Sequence, residues 1–121
     1  MAPTVLVVDD NPDLLEVLGI LMDGEGIRHL EARSLEEVKE LGPRLGEVTL
    51  AIVDINLGPT EPSGLDVGSW LRQQRLACRI VFLTGHAPES HLVRQAAINS
   101  DRVLGKPVPS SVLLRLAKGL D

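Results

Sequence analysis

Leu50-Ala51-Ile52-Val53-Asp54 decides how the chain folds. Four consecutive apolar residues read as a short strand buried on both faces, the pattern of a parallel sheet covered by helices. Asp54 then stands where the strand leaves the sheet, and ligands of open α/β sheets bind beyond the carboxyl ends of their strands. Two other runs end in the same way. Val5-Leu6-Val7-Val8 stops at Asp9-Asp10, and Ile80-Val81-Phe82-Leu83 stops at Thr84. A fourth run, Val103-Leu104, stops just before Lys106. If these strands are parallel, three carboxylates, a hydroxyl and an ammonium meet at one edge. That combination suits a metal ion and a phosphoryl group.

The segments between these runs read as helices. Strand one spans Thr4 to Val8, and Asn11-Pro12 opens a helix with Asn as N-cap and Pro in the first turn. Leu14, Val17, Leu18 and Leu21 recur at helical spacing and mark its apolar face, and Gly24 and Gly26 end it. Ile27 to Glu31 alternates in polarity, as an edge strand does. Ser34 and Glu37 have capping-box spacing for a short helix to Leu41, stopped by Gly42-Pro43. Arg44 to Glu47 reads as a loop and Thr49 to Val53 as the third strand. The stretch from Asp54 to Gly64 is a proline- and glycine-rich loop. A helix from Gly64 to about Arg75 or Leu76 follows, with Leu65 and Leu71 inward. The fourth strand is Arg79 to Leu83. Pro88 opens a helix carrying Leu92, Val93, Ala96 and Ala97 on one side. Asp101 to Leu104 is the fifth strand, and Pro109 begins a last helix with Leu113, Leu116, Ala117 and Leu120 inward. Five β-then-α units with short links predict an α/β fold of one domain over 1–121, with a parallel sheet between helices on both faces.

Composition narrows the function. At 121 residues and 44% hydrophobic the chain can build a real core, and with Trp70, Phe82 and no tyrosine that core is aliphatic. A net charge of −5 argues against a nucleic-acid surface. No run approaches a membrane span, and no charged-then-apolar signal segment precedes the first strand. The single cysteine, Cys78, excludes an internal disulfide framework, fits a reducing cytosol and reads as a packing or surface residue.

Asp9, Asp10 and Asp54 are the strongest chemical feature. Carboxylates gathered in one crevice repel one another and need a cation, and a hard divalent ion such as Mg2+ suits an all-oxygen set that must also admit a phosphate. The plain alternative for Asp9-Asp10 is favourable charge at a helix start. Lys106-Pro107 reads either as a solvated turn or as a special turn, with a cis bond one option, that aims the ammonium at Asp54 or at phosphoryl oxygens. Thr84 can donate its hydroxyl to an oxyanion, with Gly85 allowing close backbone approach. No G-x-G-x-x-G, P-loop or G-x-S-x-G pattern occurs. His29, His86 and His91 are not spaced as a zinc site. His29 reads as a strand-surface residue, and His86 lies near enough to Thr84 to modulate it.

The set Val7-Val8-Asp9-Asp10-Asn11, Ile52-Val53-Asp54, Leu83-Thr84-Gly85 and Lys106-Pro107 resembles the receiver domain of two-component response regulators, over essentially the whole chain. The resemblance implies a CheY-like, flavodoxin-like doubly wound (βα)5 sandwich with strand order 2-1-3-4-5. It implies that Asp54 is the phosphoacceptor, taking a phosphoryl group from a phosphohistidine of a histidine kinase or phosphotransfer protein. It implies Mg2+ held by Asp9, Asp10, Asp54 and the carbonyl of Asn56. Thr84, Lys106 and the amides of Asn56 and Gly85 would hold the phosphoryl oxygens. Thr84 and the face of the fourth helix, fifth strand and fifth helix would carry the switch. The protein would then be a cytoplasmic signalling phosphoprotein, not a turnover enzyme, limited to its own modification and self-dephosphorylation. Its partners would be the kinase and a downstream output domain or protein, with no nucleic acid or membrane bound directly.

Three features depart from the family pattern. Val103 stands where a rotating Tyr or Phe is usual, Val108 stands where Phe is frequent, and the loop after Asp54 is about two residues long for the pattern. An interaction module that signals without phosphorylation is therefore the second expectation, favoured by Val103. A Mg2+-dependent phosphohydrolase is the third, disfavoured because Asn56 stands where a second acid would. Arg94, Asp101, Arg102 and Arg115 are candidates for ion pairs in a phosphorylation-dependent dimer. A start near residue 1 favours a stand-alone or N-terminal domain.

Overall fold

The computed structural model describes residues 4–57, 63–85, 91–99 and 102–119. The strands are β1 (Thr4–Val8), β2 (Arg28–Ala32), β3 (Val48–Asp54), β4 (Arg79–Thr84) and β5 (Arg102–Gly105). The helices are α1 (Pro12–Gly24), α2 (Leu35–Glu40), α3 (Gly64–Gln73), α4 (His91–Asn99) and α5 (Ser110–Ala117). All strand pairs are parallel, in the order β2-β1-β3-β4-β5. This is the flavodoxin-like sandwich expected. The register is what matters for function: Val8 lies opposite Val53, Asp54 opposite Leu83, and Thr84 opposite Gly105. The carboxyl ends of the three central strands and β5 are therefore level.

Alternation along the strands divides the core into two layers. Leu6, Val8, Ala51, Val53, Ile80 and Phe82 face Val38, Val67, Leu71 and Ala96, from α2, α3 and α4. Val5, Val7, Leu50, Ile52, Val81 and Leu83 face Leu15, Leu18, Met22, Leu113, Leu116 and Ala117, from α1 and α5. Gly68 lets α3 pack tightly on the sheet: a Cβ there would lie 2.5 Å from Phe82 Cζ. Cys78 is buried in the first layer, a packing residue.

Local chemistry sets the helix starts. The Asn11 side chain accepts from the N–H groups of Asp13 and Leu14, with Pro12 following in the first turn. Ser34 accepts from Glu37 N–H, while Glu37 reaches back to Arg33 N–H rather than to the cap itself. Ser63 and Asp66 close a reciprocal capping box at α3.

Tertiary packing corrects several expectations. The buried stripe of α1 is Leu15, Leu18, Gly19 and Met22, and Val17 is 51% exposed, because the helix meets the sheet rotated by about one position. Gly42–Glu47 forms a 3-10 helix rather than a loop, since Leu45 is drawn into the core. α3 ends at Gln73, earlier than expected, where Arg75 takes a left-handed conformation (φ 57°). Leu71 is buried as expected, but Leu65 only partly. On α4, Ala96 is buried, Val93 half-buried and Ala97 exposed. β3, β4 and β5 each run one residue further than expected, so Asp54, Thr84 and Gly105 belong to the sheet. β2 is an edge strand as expected, shifted by one residue. Leu113, Leu116 and Ala117 point inward on α5. Pro88, His86, Asp101, Leu120, the side chain of Leu92 and the centre of the proline-rich loop lie outside the described residues.

Candidate functional site

The level carboxyl ends bring one ligand atom each from Asp9, Asp10 and Asp54 within 4.8 Å of one another. Asp54 is 3% exposed, and its carboxylate is held at both oxygens. Oδ1 accepts from Asn56 N–H at 3.1 Å, and Oδ2 accepts from Lys106 Nζ at 2.8 Å. Lys106 reaches it from the exit of β5, where its own N–H donates to Thr84 O at 2.7 Å and its bond to Pro107 is cis.

Asp9 is 2% exposed. Its N–H donates to Ala32 O at 3.1 Å, and its Oδ1 accepts from Asn11 N–H at 2.9 Å. Its Oδ2 is buried with no hydrogen-bond partner among the described residues, and Lys106 Nζ stands 4.0 Å away. Burial pushes the Asp9 carboxyl up to about 6, and the negative charges of Asp54 and Asp10 add to that, against the lowering by Asn11 N–H and Lys106. Asp10 is exposed. Buried carboxylate, orphaned oxygen and an all-oxygen donor set together fit a hard divalent cation such as Mg2+.

The other expected residues flank this cluster. Thr84 is buried at the end of β4, one position beyond the Leu83 that opposes Asp54, and Gly85 and Asn56 are exposed next to the crevice strands. Val103 lies apart: it opposes Phe82 and packs, half-buried, against the α2–α3–α4 layer. Val108 is half-buried against the α1–α5 layer. Arg94, Arg102 and Arg115 are exposed on the α4–β5–α5 side.

Gly64 has a role that sequence reasoning missed, reading it only as a helix start. A Cβ there would stand 2.0 Å from Asp54 O and 2.7 Å from Ile55 Cα, and Gly64 N–H donates to Ile55 O at 2.8 Å. The start of α3 thus lies directly on the backbone that carries the central acid. The signal was a glycine closing a loop that opens at a strand-end acid.

The family model for the response regulator receiver domain matches residues 5–118. The photosynthetic apparatus regulatory protein RegA of Cereibacter sphaeroides is 33% identical over 118 residues, covering 96% of this chain and 62% of that protein. The chain thus spans about three-fifths of the length of this curated relative. A CheY-like receiver domain from Methanospirillum hungatei superposes with a TM-score of 0.83 at 21% identity, over 98% of this chain and 93% of that one. A response regulator from Burkholderia pseudomallei, solved with a phosphorylated aspartic acid, calcium ion and citrate, superposes with a TM-score of 0.78. It is 26% identical, over 98% of this chain and 70% of that one. With the match to the family model running from the first strand to the end of the last helix, this chain belongs to the response regulator receiver domains.

Proposed function

We propose that this domain is the phosphoacceptor of a two-component phosphorelay and that Asp54 is the residue modified. The observation that carries the reading is the 2.8 Å contact of Lys106 Nζ with Asp54 Oδ2 inside a cluster of three carboxylates. The phosphorylated aspartic acid and the calcium ion of the Burkholderia relative support it.

In the reaction a carboxylate oxygen of Asp54 bonds to the phosphorus of a phosphohistidine on a histidine kinase or phosphotransfer protein. The P–N bond breaks, and the imidazole nitrogen keeps the electron pair and takes a proton from solvent. Phosphoryl transfer asks mainly for positioning and charge compensation. Asp9, Asp10, Asp54 and the Asn56 carbonyl would hold Mg2+, which when bound supplies positive charge against the transferring group. Asn56 N–H and Lys106 fix the carboxylate for in-line attack. Lys106 then follows the charge onto a phosphoryl oxygen. Thr84 and the amides of Asn56 and Gly85 take the remaining oxygens. Water attack on the aspartyl phosphate resets the domain, so it turns over nothing but its own modification.

The added charge of about −1.5 to −2 shifts the population of the α4–β5–α5 face through Thr84, and that face signals to an output domain or protein. Val103 occupies the second switch position, where it cannot act as the rotating aromatic usual there, so Thr84 carries the change. We place this cycle in the cytoplasm. The test is intact mass after incubation with a small phosphodonor, with and without Mg2+. One phosphoryl group on the wild type, none on Asp54→Asn and none without Mg2+ is the expected result. No adduct from either a small donor or a panel of phosphorylated kinases would leave an interaction module as the better reading.

A further inference from the structure

Polar contacts at the far edge of the sheet are local pairs, as where His29, half-buried rather than the plain strand-surface residue expected, meets Asp23 at 3.0 Å. The contacts around Asp54 instead run on into α3, and one peptide group carries them. The N–H of the Ile55–Asn56 peptide belongs to Asn56 and donates to Asp54 Oδ1 at 3.1 Å. The C=O of the same peptide belongs to Ile55 and accepts at 2.8 Å from the N–H of Gly64, the first residue of α3. A peptide is planar, so its N–H and C=O turn together. The acid and the helix are therefore bonded to opposite sides of one rigid plate.

We propose that this peptide couples the phosphorylation state of Asp54 to the position of α3, which makes α3 a second conformational output of the domain. The inference rests on Asp54 being the phosphoacceptor. In the unmodified domain Asn56 N–H serves the carboxylate. Once Asp54 carries the phosphoryl group, the negative charge lies on the phosphoryl oxygens, and a charged oxygen is the stronger acceptor. Asn56 N–H turns toward it. Ile55 C=O turns the opposite way, and Gly64 N–H follows its acceptor.

Packing decides that the helix moves. Ile55 is a fixed pivot: its N–H donates to Leu83 O at 2.9 Å, and its buried side chain packs in the layer that holds Val67 and Leu71 of α3. On the sheet side α3 has no slack. A Cβ at Gly64 would stand 2.7 Å from Ile55 Cα, and one turn further on a Cβ at Gly68 would stand 2.5 Å from Phe82 Cζ. On the α4 side there is space, since Leu65, Asp66 and Ser69 line a cavity of about 300 Å3 with Gln95 and Ile98 of α4. The capping box between Ser63 and Asp66 holds the first turn together, so a push at Gly64 passes along the helix. The helix also carries its own reporter. Trp70 is the single tryptophan of a chain without tyrosine, and Lys39 Nζ of α2 stands 5.9 Å from its ring centroid. A shift of α3 against α2 alters that contact and with it the emission.

The test loads the whole chain with acetyl phosphate and Mg2+, or with phosphorylated kinases where that donor fails, and follows occupancy by intact mass, with Mg2+ alone as the baseline. Trp70 emission and the Gly64 amide in a proton–nitrogen correlation spectrum should both change in proportion to occupancy. Neither should change in Asp54→Asn. Ser63→Ala removes the cap of α3 and lets its first turn fray without touching the acid. At equal occupancy it should show at most about half of the wild-type Trp70 change while keeping the Asn56 amide shift, because the frayed turn absorbs the tilt. A loaded wild type with Trp70 and Gly64 unmoved, or a Ser63→Ala variant that responds in full, would overturn the inference while leaving phosphorylation of Asp54 intact. Absence of a mass adduct from every donor would overturn the phosphoacceptor reading and this one with it, so the mass separates the two failures.

Discussion

Asp9→Asn should stabilise the metal-free domain at about pH 8 while blunting its response to Mg2+. Asp9 is buried, and its carboxyl is raised from 3.8 to about 6 by desolvation and by the neighbouring charges of Asp54 and Asp10. A raised folded-state value means that the folded protein holds a proton the unfolded chain has already released. The contribution to stability is therefore complete below 3.8 and is lost as pH climbs through about 6. The displacement corresponds to about 3 kcal/mol, since each pK unit is worth about 1.4 kcal/mol. Asparagine keeps an oxygen for Asn11 N–H and places an N–H2 where the orphaned Oδ2 stands, facing carboxylates instead of adding a third charge. For a domain of this size each kcal/mol moves the melting temperature by about 4 °C, so the variant should melt roughly 10 °C higher at about pH 8. Thermal melts across pH check this. The gap between variant and wild type should close as pH falls toward 4, and added Mg2+ should raise the wild type more than the variant. A variant that melts lower than wild type at about pH 8, or a gap that ignores pH, would refute the assignment of strain to this charge.

Lys106→Met strips Asp54 of its cation and leaves, among the described residues, Asn56 N–H as the one hydrogen bond to a buried carboxylate. Urea unfolding should show a loss of about 1–3 kcal/mol, with formation of the phosphoryl adduct falling at least tenfold. Gly64→Ala drives a methyl into the Asp54 carbonyl, so it should cost about 1–3 kcal/mol and slow adduct formation even where folding is preserved, as measured at a temperature well below its melt. Gly68→Ala presses on Phe82 in the core and should cost a similar amount in stability, about 1–3 kcal/mol, while leaving the rate of Asp54 modification near wild type. A Gly68→Ala variant that loses phosphorylation but not stability would contradict the division between core and site drawn here.

Much of this site was legible because backbone direction alone makes it. A β-then-α repeat forces parallel strands, and parallel strands present their carboxyl ends together, so Asp9, Asp10, Asp54 and Lys106 could be placed at one edge before any contact was known. The helix caps at Asn11 and Ser34 act within four residues, which is why local pattern sufficed for them. The inner face of α1 was less legible: Val17 and Leu15 are equally apolar, and which one turns inward depends on how the helix settles on the sheet.

By itself the sequence determined the fold class and the acids and lysine gathered at the carboxyl edge of the sheet, which follow from periodicity, chain direction and covalent spacing; the strand order came from the family resemblance. Tertiary structure alone decided that Asp9 Oδ2 has no hydrogen-bond partner among the described residues, that Gly64 lies on the Asp54 carbonyl, and that Asp23 meets His29. Each of these depends on how neighbouring elements settle against one another, to within a few tenths of an ångström. Such distances are set by the sum of all side-chain volumes in the core, which no local stretch of sequence contains.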